Sequence, residues 1–356
     1  MSDLAPDPPA SLATIAARVD ARLDELLLSE RDRWAELDAD LAGPFDEIRR
    51  MVQSGGKRLR PAFCFWAFVG AGGDGADRPV IDAGAALELM HGFALFHDDV
   101  MDDAVSRRGA LTTHAVYARE HGRATWSGES RRFGEGVAIL VGDLALVLSD
   151  ELMLGAPDSV WRLWNELRLE LNVGQFLDIL GAVQRDRRLE KAERIARYKS
   201  GKYTIERPLH LGALLAAPDR GDELFASLSA FGLPLGDAFQ MRDDVIGAFG
   251  DSALTGKPVG DDLREGKPTP LLARAIALAT AGQREVLDRV GTADLDEAGV
   301  AAIQEVLVAT GALAALELRI SELAAQAAAA LTRCGLTAEA RRELAALAEY
   351  VVARRI

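Results

Sequence analysis

Two runs of carboxylates stand out. Residues 97–103 read His97-Asp98-Asp99-Val100-Met101-Asp102-Asp103, and residues 239–251 read FQMRDDVIGAFGD. On a helix, Asp98 and Asp102 share a face, as do Asp99 and Asp103. Asp244 and Asp251 project nearly together if the helix continues past Gly247 and Gly250, with Asp243 to one side. Carboxylates this close repel one another and raise each other's pKa unless a cation stands among them or water spreads them apart. The apolar run at residues 92–96 leads the first cluster out of a core rather than along a wetted surface. Hard oxygen donors without Cys or paired His suit Mg²⁺, with Mn²⁺ as the substitute metal, and Mg²⁺ completes its shell with water and substrate phosphates. Two such clusters imply a diphosphate bridged through more than one metal ion.

Cations should then meet the same phosphates. Lys57, Arg58 and Arg60 follow a glycine pair in GGKRLRP, Arg107-Arg108-Gly109 follows the first acidic run, and Lys199-Ser200-Gly201-Lys202 lies between the runs. Lys257 and Lys267 fall in a glycine-rich segment after the second run. Each alone reads as a solvated surface charge; their repeated pairing with glycine, which lets a backbone approach an anion closely, points to two anion sites. One is reached through metal and the other through arginine and lysine alone. No Ser/His/Asp or Cys/His arrangement accompanies them, so no covalent nucleophile is expected. A metal phosphohydrolase built on His91, His97 and Asp98 finds no evident fourth ligand in His114 or His210. A di-iron bundle would need two Glu-x-x-His pairs, and only Glu88 to His91 fits.

The elements that must carry these residues read as helices. Apolar residues recur at helical spacing, as at Leu163, Leu167 and Leu171, and strand signals are weak, so the fold class is all-α: a single large helical bundle around an apolar cavity. No linker divides the chain, which predicts one domain over residues 13–356 after a disordered tail at 1–12. Loops are expected near residues 71–79, 122–136, 182–188 and 216–221. Residues 249–269, rich in Gly, Pro and charge, predict a mobile flap over a site. The apolar stretch 137–154 carries Asp143, Asp150 and Glu151, so it predicts a buried core helix and no membrane span. Residues beyond about 301 predict packing helices.

A formal charge of −14 over 356 residues argues against nucleic-acid partners, which need a basic stripe. Two cysteines, Cys64 and Cys334, form no CxxC, and the first residues carry no basic-then-apolar export pattern; both fit a reducing cytoplasm.

In six ordered motifs spanning nearly the whole chain, the sequence resembles the trans-isoprenyl diphosphate synthase family, most closely its geranylgeranyl diphosphate synthases. These are GGKRLRP, HDDVMDD with RRG, GDLA at residues 142–145, GQFLD at 174–178, KSG at 199–201, and FQMRDD ending at Asp244. The resemblance implies a homodimer and chain elongation of C5 to C15 allylic diphosphates by isopentenyl diphosphate. It implies Mg²⁺ at Asp98, Asp102 and Asp243, with Asp99 and Asp244 in support and Asp251 as a further candidate. Carried over likewise, isopentenyl diphosphate falls to Lys57, Arg60, His91 and Arg108. The allylic diphosphate falls to Arg107, Lys199, Ser200, Gln240 and Lys257, of which Lys199, Gln240 and Lys257 take the catalytic part. Phe93 and Ala94, one turn before the first acidic run, would floor the chain tunnel and favour a C20 product, with C15 next.

Two departures matter. Ser200 stands where the family often has threonine, and its hydroxyl offers the same hydrogen bond. Gly247 stands where the second motif has its third aspartate. The polar stretch 123–136 is also longer than the family's usual loop and has no assigned role. Rival readings are a class I terpene cyclase, which would not need Lys57, Arg60 and Arg108, and a non-catalytic subunit of a heteromeric synthase.

Overall fold

The structure, a computed structural model, describes residues 7–250 and 259–353. It is helical throughout except for one two-stranded hairpin. The chain divides into two compact units, one of Ala10–Phe65 with Gly73–Pro157, the other chiefly of Trp66–Gly72 with the described residues from Asp158 on.

In the first unit, α1 (Ala10–Ala35) begins inside the stretch read as a tail, because Leu12, Ile15, Val19, Leu23 and Leu26 form a buried stripe at helical spacing. It packs on α2 (Ala42–Gln53) and on α4 (Arg78–Met101). The GGKRLRP motif is a loop leading into α3 (Leu59–Gly70), whose first three residues are the motif's last three. The helix α4 is apolar nearly all round and buried from Val80 to Phe96, as the central helix of a core must be. By length and composition it could cross a membrane, and so could a bent pair of helices near the C-terminus; 72% of the α4 window is buried within the protein. After the hairpin of β1 (Ser106–Arg107) and β2 (Ala110–Leu111) come α5 (Thr113–Ala124) and α6 (Ser130–Glu151), packed on each other.

The loop expected at residues 122–136 is therefore only 125–129. Glycine misled the reading here: a Cβ on Gly134 would lie 2.2 Å from the His114 carbonyl oxygen and 2.9 Å from the Ala118 nitrogen, so Gly134 permits a close helix crossing instead of breaking a helix. Beside it Phe133 packs edge-on or tilted against Tyr117, His121 and Trp126, with centroids 5.3–6.3 Å apart. A second difference concerns α6. Ala138, Val141, Ala145 and Leu148 are buried as expected, but Leu140 and Val147 are each 63% exposed, so the helix has two apolar sides and buries one.

In the second unit, α7 (Asp158–Gln184) likewise buries Val160, Leu163, Leu167 and Leu171 and exposes Leu169, Val173, Phe176 and Val183 along the opposite stripe. Then follow α8 (Leu189–Ala196), a π-helical segment (Arg197–Glu206), α9 (Arg207–Ala216) and α10 (Gly221–Phe249). The expected flap holds a short helix, α11 (Asp261–Glu265), bounded by Gly260 and Gly266 at φ 73° and 74°, where an L side chain would be strained. Residues α12 (Pro270–Leu278), α13 (Ala281–Leu287), α14 (Glu297–Ala309), α15 (Ala312–Leu331) and α16 (Ala338–Val352) surround the end of α10 with a core that includes Val245, Leu272, Ile303, Leu316 and Ile320.

One buried polar network ties α7, the π-helical segment, α9 and α10 together. Glu170 accepts from Arg207 at 2.6 and 2.7 Å and pairs with Lys202, while Ser229 donates to Glu206 at 2.6 Å. His210 Nε2 donates to the Ser229 oxygen at 3.1 Å, since that hydroxyl's proton is already spent on Glu206, and Nδ1 accepts from Arg207 at 3.3 Å. Burial first, then Arg207, pushes the His210 pKa down to about 3. In the unfolded chain the group titrates near 6.5, so below that pH the unfolded state binds the extra proton. Stability from His210 is thus complete above pH 6.5 and falls on acidification by about 1.4 kcal/mol per pH unit. Thermal unfolding between pH 7 and 4 should show this slope, reduced by one proton's worth in His210→Gln.

Candidate functional site

The first acidic run ends a helix. Asp98 and Asp99 lie in the last turn of α4 and Asp102 caps it, at the negative pole of the helix, where carboxylates are least welcome. Asp99 is 1% exposed, and burial raises its pKa although Arg107 opposes the shift. Its Oδ1 accepts from Arg107 Nε at 2.7 Å, while its Oδ2 is buried without a hydrogen-bond partner. Arg107 Nη2 also reaches Asp98 Oδ2 at 3.3 Å. The hairpin aims this arginine: Arg108 and Gly109, both with positive φ, form its two-residue turn, the geometry a type I′ turn requires. The RRG motif is thereby a turn that points one arginine at the carboxylates. Asp102 is half-buried and Asp103 exposed.

A cationic cluster forms in the same unit. Burial, then the charges of Arg60, Arg108, Arg107 and Arg58, hold the half-buried His91 imidazole well below its ordinary pKa and therefore neutral. Arg58 is spoken for: it donates to Glu88 at 2.7 Å, to Asp20 at 2.8 Å and to the Val52 carbonyl, and it anchors the loop. Arg108 donates to the Gly55 carbonyl and approaches Ser54 Oγ at 3.4 Å, which ties the hairpin turn to the GGKRLRP loop. Lys57 is exposed on that loop and Arg60 half-buried at the start of α3. Upstream on α4, Phe93 is buried and meets the His97 ring edge-on at 4.7 Å, with Ala94 half-buried beside it. His97 Nε2 lies 3.0 Å from the Ile139 carbonyl oxygen and 3.5 Å from Asp143, and only a glycine at 142 leaves it room: a Cβ there would stand 2.5 Å from the ring.

In the second unit, Lys199 and Ser200 lie in the π-helical segment, a widened turn often found at functional sites. Lys199 Nζ donates to Asp178 Oδ2 at 2.6 Å. Asp178 is a residue the sequence reading left without a role; the signal was its place four residues after Gly174, on the same face of α7. A Cβ on Gly174 would lie 2.4 Å from the Lys199 nitrogen, and one on Gly236 would lie 2.7 Å from the Gly201 oxygen. Gly174 and Gly201, each in a motif, thus sit at close backbone contacts on either side of Lys199's segment. On α10, Gln240 Nε2 donates to Asp244 Oδ1 at 2.9 Å, so Gln240 orients a carboxylate. Asp244 is 5% exposed, its Oδ2 has no hydrogen-bond partner, and burial, then Asp262, Asp243 and Asp178, raise its pKa well above the usual range. Asp243 is half-buried. Arg242 fixes this end of α10 by two bonds to Glu317, at 2.6 and 2.7 Å, and one to the Val352 carbonyl. Asp251 and Lys257 lie outside the described residues; Lys267 pairs with Glu265.

The residues fit a hard divalent cation. Asp99 Oδ2 and Asp244 Oδ2 are buried and lack hydrogen bonds, and Asp244 also stands among like charges, positions a cation relieves. Among the described residues no three His, Cys, Asp or Glu side chains form a closed cage, so the rest of a metal's shell would come from water and phosphate oxygens.

A family model described as polyprenyl synthetase matches residues 45–307. The chain is 32% identical over 315 residues to a geranylfarnesyl diphosphate synthase of Aeropyrum pernix, covering 85% of this chain and 92% of that one. It is 31% identical over 340 residues to a nonaprenyl diphosphate synthase of Mycobacterium tuberculosis, covering 94% and 92%. Among solved structures, a geranylgeranyl pyrophosphate synthase from Corynebacterium glutamicum, complexed with isoprenyl diphosphate and magnesium, superposes with a TM-score of 0.91 at 36% identity over 97% and 99% of the two chains.

Proposed function

We propose, for a chain that belongs to the polyprenyl synthetase family, that it condenses isopentenyl diphosphate with C5 to C15 allylic diphosphates and releases mainly the C20 product, geranylgeranyl diphosphate. The observation that carries this reading is the pair of helix-borne carboxylate clusters, each with a buried oxygen that lacks a hydrogen bond, together with arginines whose charges keep His91 neutral. A cyclase needs only the former; elongation needs both.

The allylic C–O bond breaks with its electron pair going to the departing diphosphate; Asp98 and Asp102, and on α10 Asp243, would hold Mg²⁺, whose positive charge would favour that departure. The side chains do the rest. Asp178 holds the Lys199 ammonium toward the leaving group and Arg107 adds positive charge beside Asp98 and Asp99, an electrostatic preorganisation of the kind that dominates such steps. Lys57, Arg60, His91 and Arg108 hold isopentenyl diphosphate, whose double bond attacks the allylic cation; loss of one proton to the released diphosphate then restores the alkene. Neutral His91 would donate a hydrogen bond there without adding a fourth positive charge. Phe93, buried one turn before His97 at the start of the first acidic run, supports C20 as the stopping point. The exposed apolar stripes of α6 and α7 support the homodimer, since single soluble chains seldom leave such rows uncovered.

The test is a product assay with purified protein, Mg²⁺, isopentenyl diphosphate and each of the C5, C10 and C15 primers, sized by mass spectrometry. A C20 diphosphate that disappears with chelator is expected. Chains of C25 or more would remove Phe93 as the stop, cyclic hydrocarbons would favour a cyclase, and no turnover would favour a subunit that needs a partner.

A further inference from the structure

Phe93 does not stand alone on its helix. It lies four residues before His97 on α4, so the two side chains share a face, and their rings meet edge-on with centroids 4.7 Å apart and planes at 65°. His97 is in turn tied to a different helix. Its Nε2 lies 3.0 Å from the Ile139 carbonyl oxygen on α6, and because a carbonyl only accepts, that nitrogen carries the proton and donates it. Asp143 Oδ1 stands 3.5 Å from the same nitrogen. The ring lies against the bare backbone of Gly142, where a Cβ would stand 2.5 Å from both Cδ2 and Nε2. Positions 139, 142 and 143 fall on one face of α6 and form a seat for the imidazole. Whether a phenylalanine blocks a chain depends on its rotamer as well as its size, and the space into which Phe93 could turn on this side is filled by a ring that is itself held.

We infer that His97 is a positioning residue for product length: seated on α6 by Ile139, Gly142 and Asp143, it holds the Phe93 ring across the path of the growing chain. The stop is then gauged by the crossing of α4 with α6 and not by the size of Phe93 alone. The inference rests on the proposed function above, with Phe93 as its stop.

Product sizing with a C15 primer, Mg²⁺ and isopentenyl diphosphate reads this directly. His97→Ala should raise the ratio of C25 and longer chains to C20 by about 2- to 10-fold, the effect of losing one edge-on aromatic contact. His97→Asn, a smaller change that keeps a polar side chain but no ring, should shift the ratio the same way. Phe93→Ala should lengthen the products more, and adding His97→Ala to it should change nothing further, since the brace then has nothing to hold. Thermal unfolding of the same samples shows whether each is folded. A wild-type product ratio in the folded His97 variants would overturn the inference. So would a double variant with longer chains than Phe93→Ala, which would make His97 a wall in its own right, or loss of all turnover in folded His97 variants, which would move His97 into the chemistry. If Phe93→Ala still stops at C20, the inference falls and elongation stands; wild-type protein that elongates nothing would take the proposed function with it.

Discussion

Asp98→Asn is expected to lower kcat by about 10²–10³-fold, the usual cost of removing one preorganised electrostatic contact, while leaving the fold as stable as before or slightly more so. The two effects oppose each other because of where Asp98 sits. It lies in the last turn of α4, beside Asp99 and Asp102, where both the helix dipole and its neighbours disfavour negative charge. Neutralising it relieves a repulsion of about 0.3–1 kcal/mol. The change gives up a 3.3 Å contact with Arg107, which keeps its shorter bond to Asp99. Steady-state kinetics against Mg²⁺ concentration, with denaturant unfolding of the same protein, would show both. A variant with wild-type kcat would remove Asp98 from the metal site, and one that lost activity by unfolding would contradict the account of α4.

Gly174→Ala should damage the enzyme by the opposite route. Alanine is ordinarily the better helix former by about 0.8–1.0 kcal/mol, yet here its methyl would meet the Lys199 nitrogen at 2.4 Å, the Lys199 Cα at 2.7 Å and the Tyr198 carbonyl carbon at 2.7 Å. Those are backbone atoms and cannot swing aside as a side chain does. The overpacking costs about 1–3 kcal/mol or more, which outweighs the propensity gain. Any relief comes from pushing the π-helical segment away from α7 and so lifting Lys199 off Asp178, which should cut kcat in the protein that remains folded. An unfolding midpoint and a kcat both at wild-type values would show that the crossing is looser than the structure has it.

How much of this was legible in the sequence depended on whether the deciding contact was local. Helical spacing is local, so the all-α class was readable, as were the apolar run at residues 92–96, the two carboxylate clusters and the cations paired with glycine. What glycine does is decided by a neighbour distant in sequence. Gly134 reads as a breaker until α5 is laid against it, and Gly174 reads as a motif letter until the Lys199 backbone is seen 2.4 Å away. Asp178 is hidden for the same reason: its partner lies 21 positions off, and nothing in composition joins Asp178 to Lys199. Hydropathy could not tell that α6 buries one apolar side and exposes the other, since both sides carry the same residue types. The RRG turn is an intermediate case. Its glycine announced a turn, but that the turn is a hairpin aiming Arg107 at Asp99 needed the pairing of Arg107 with Ala110.

The touch between Gly201 and Gly236 can be seen as a pivot. Lys199 and Ser200 immediately precede the first glycine, and Gln240 follows the second by one helical turn, on the same face of α10. Two sets of side chains proposed to meet one ligand are thus gauged from a single point where backbone rests on backbone. A methyl at either glycine parts the segments, and a methyl at the other then enters a gap already open, so the two losses are less than additive. Neither position can compensate for a change at the other, and the pair behaves toward substitution as one residue.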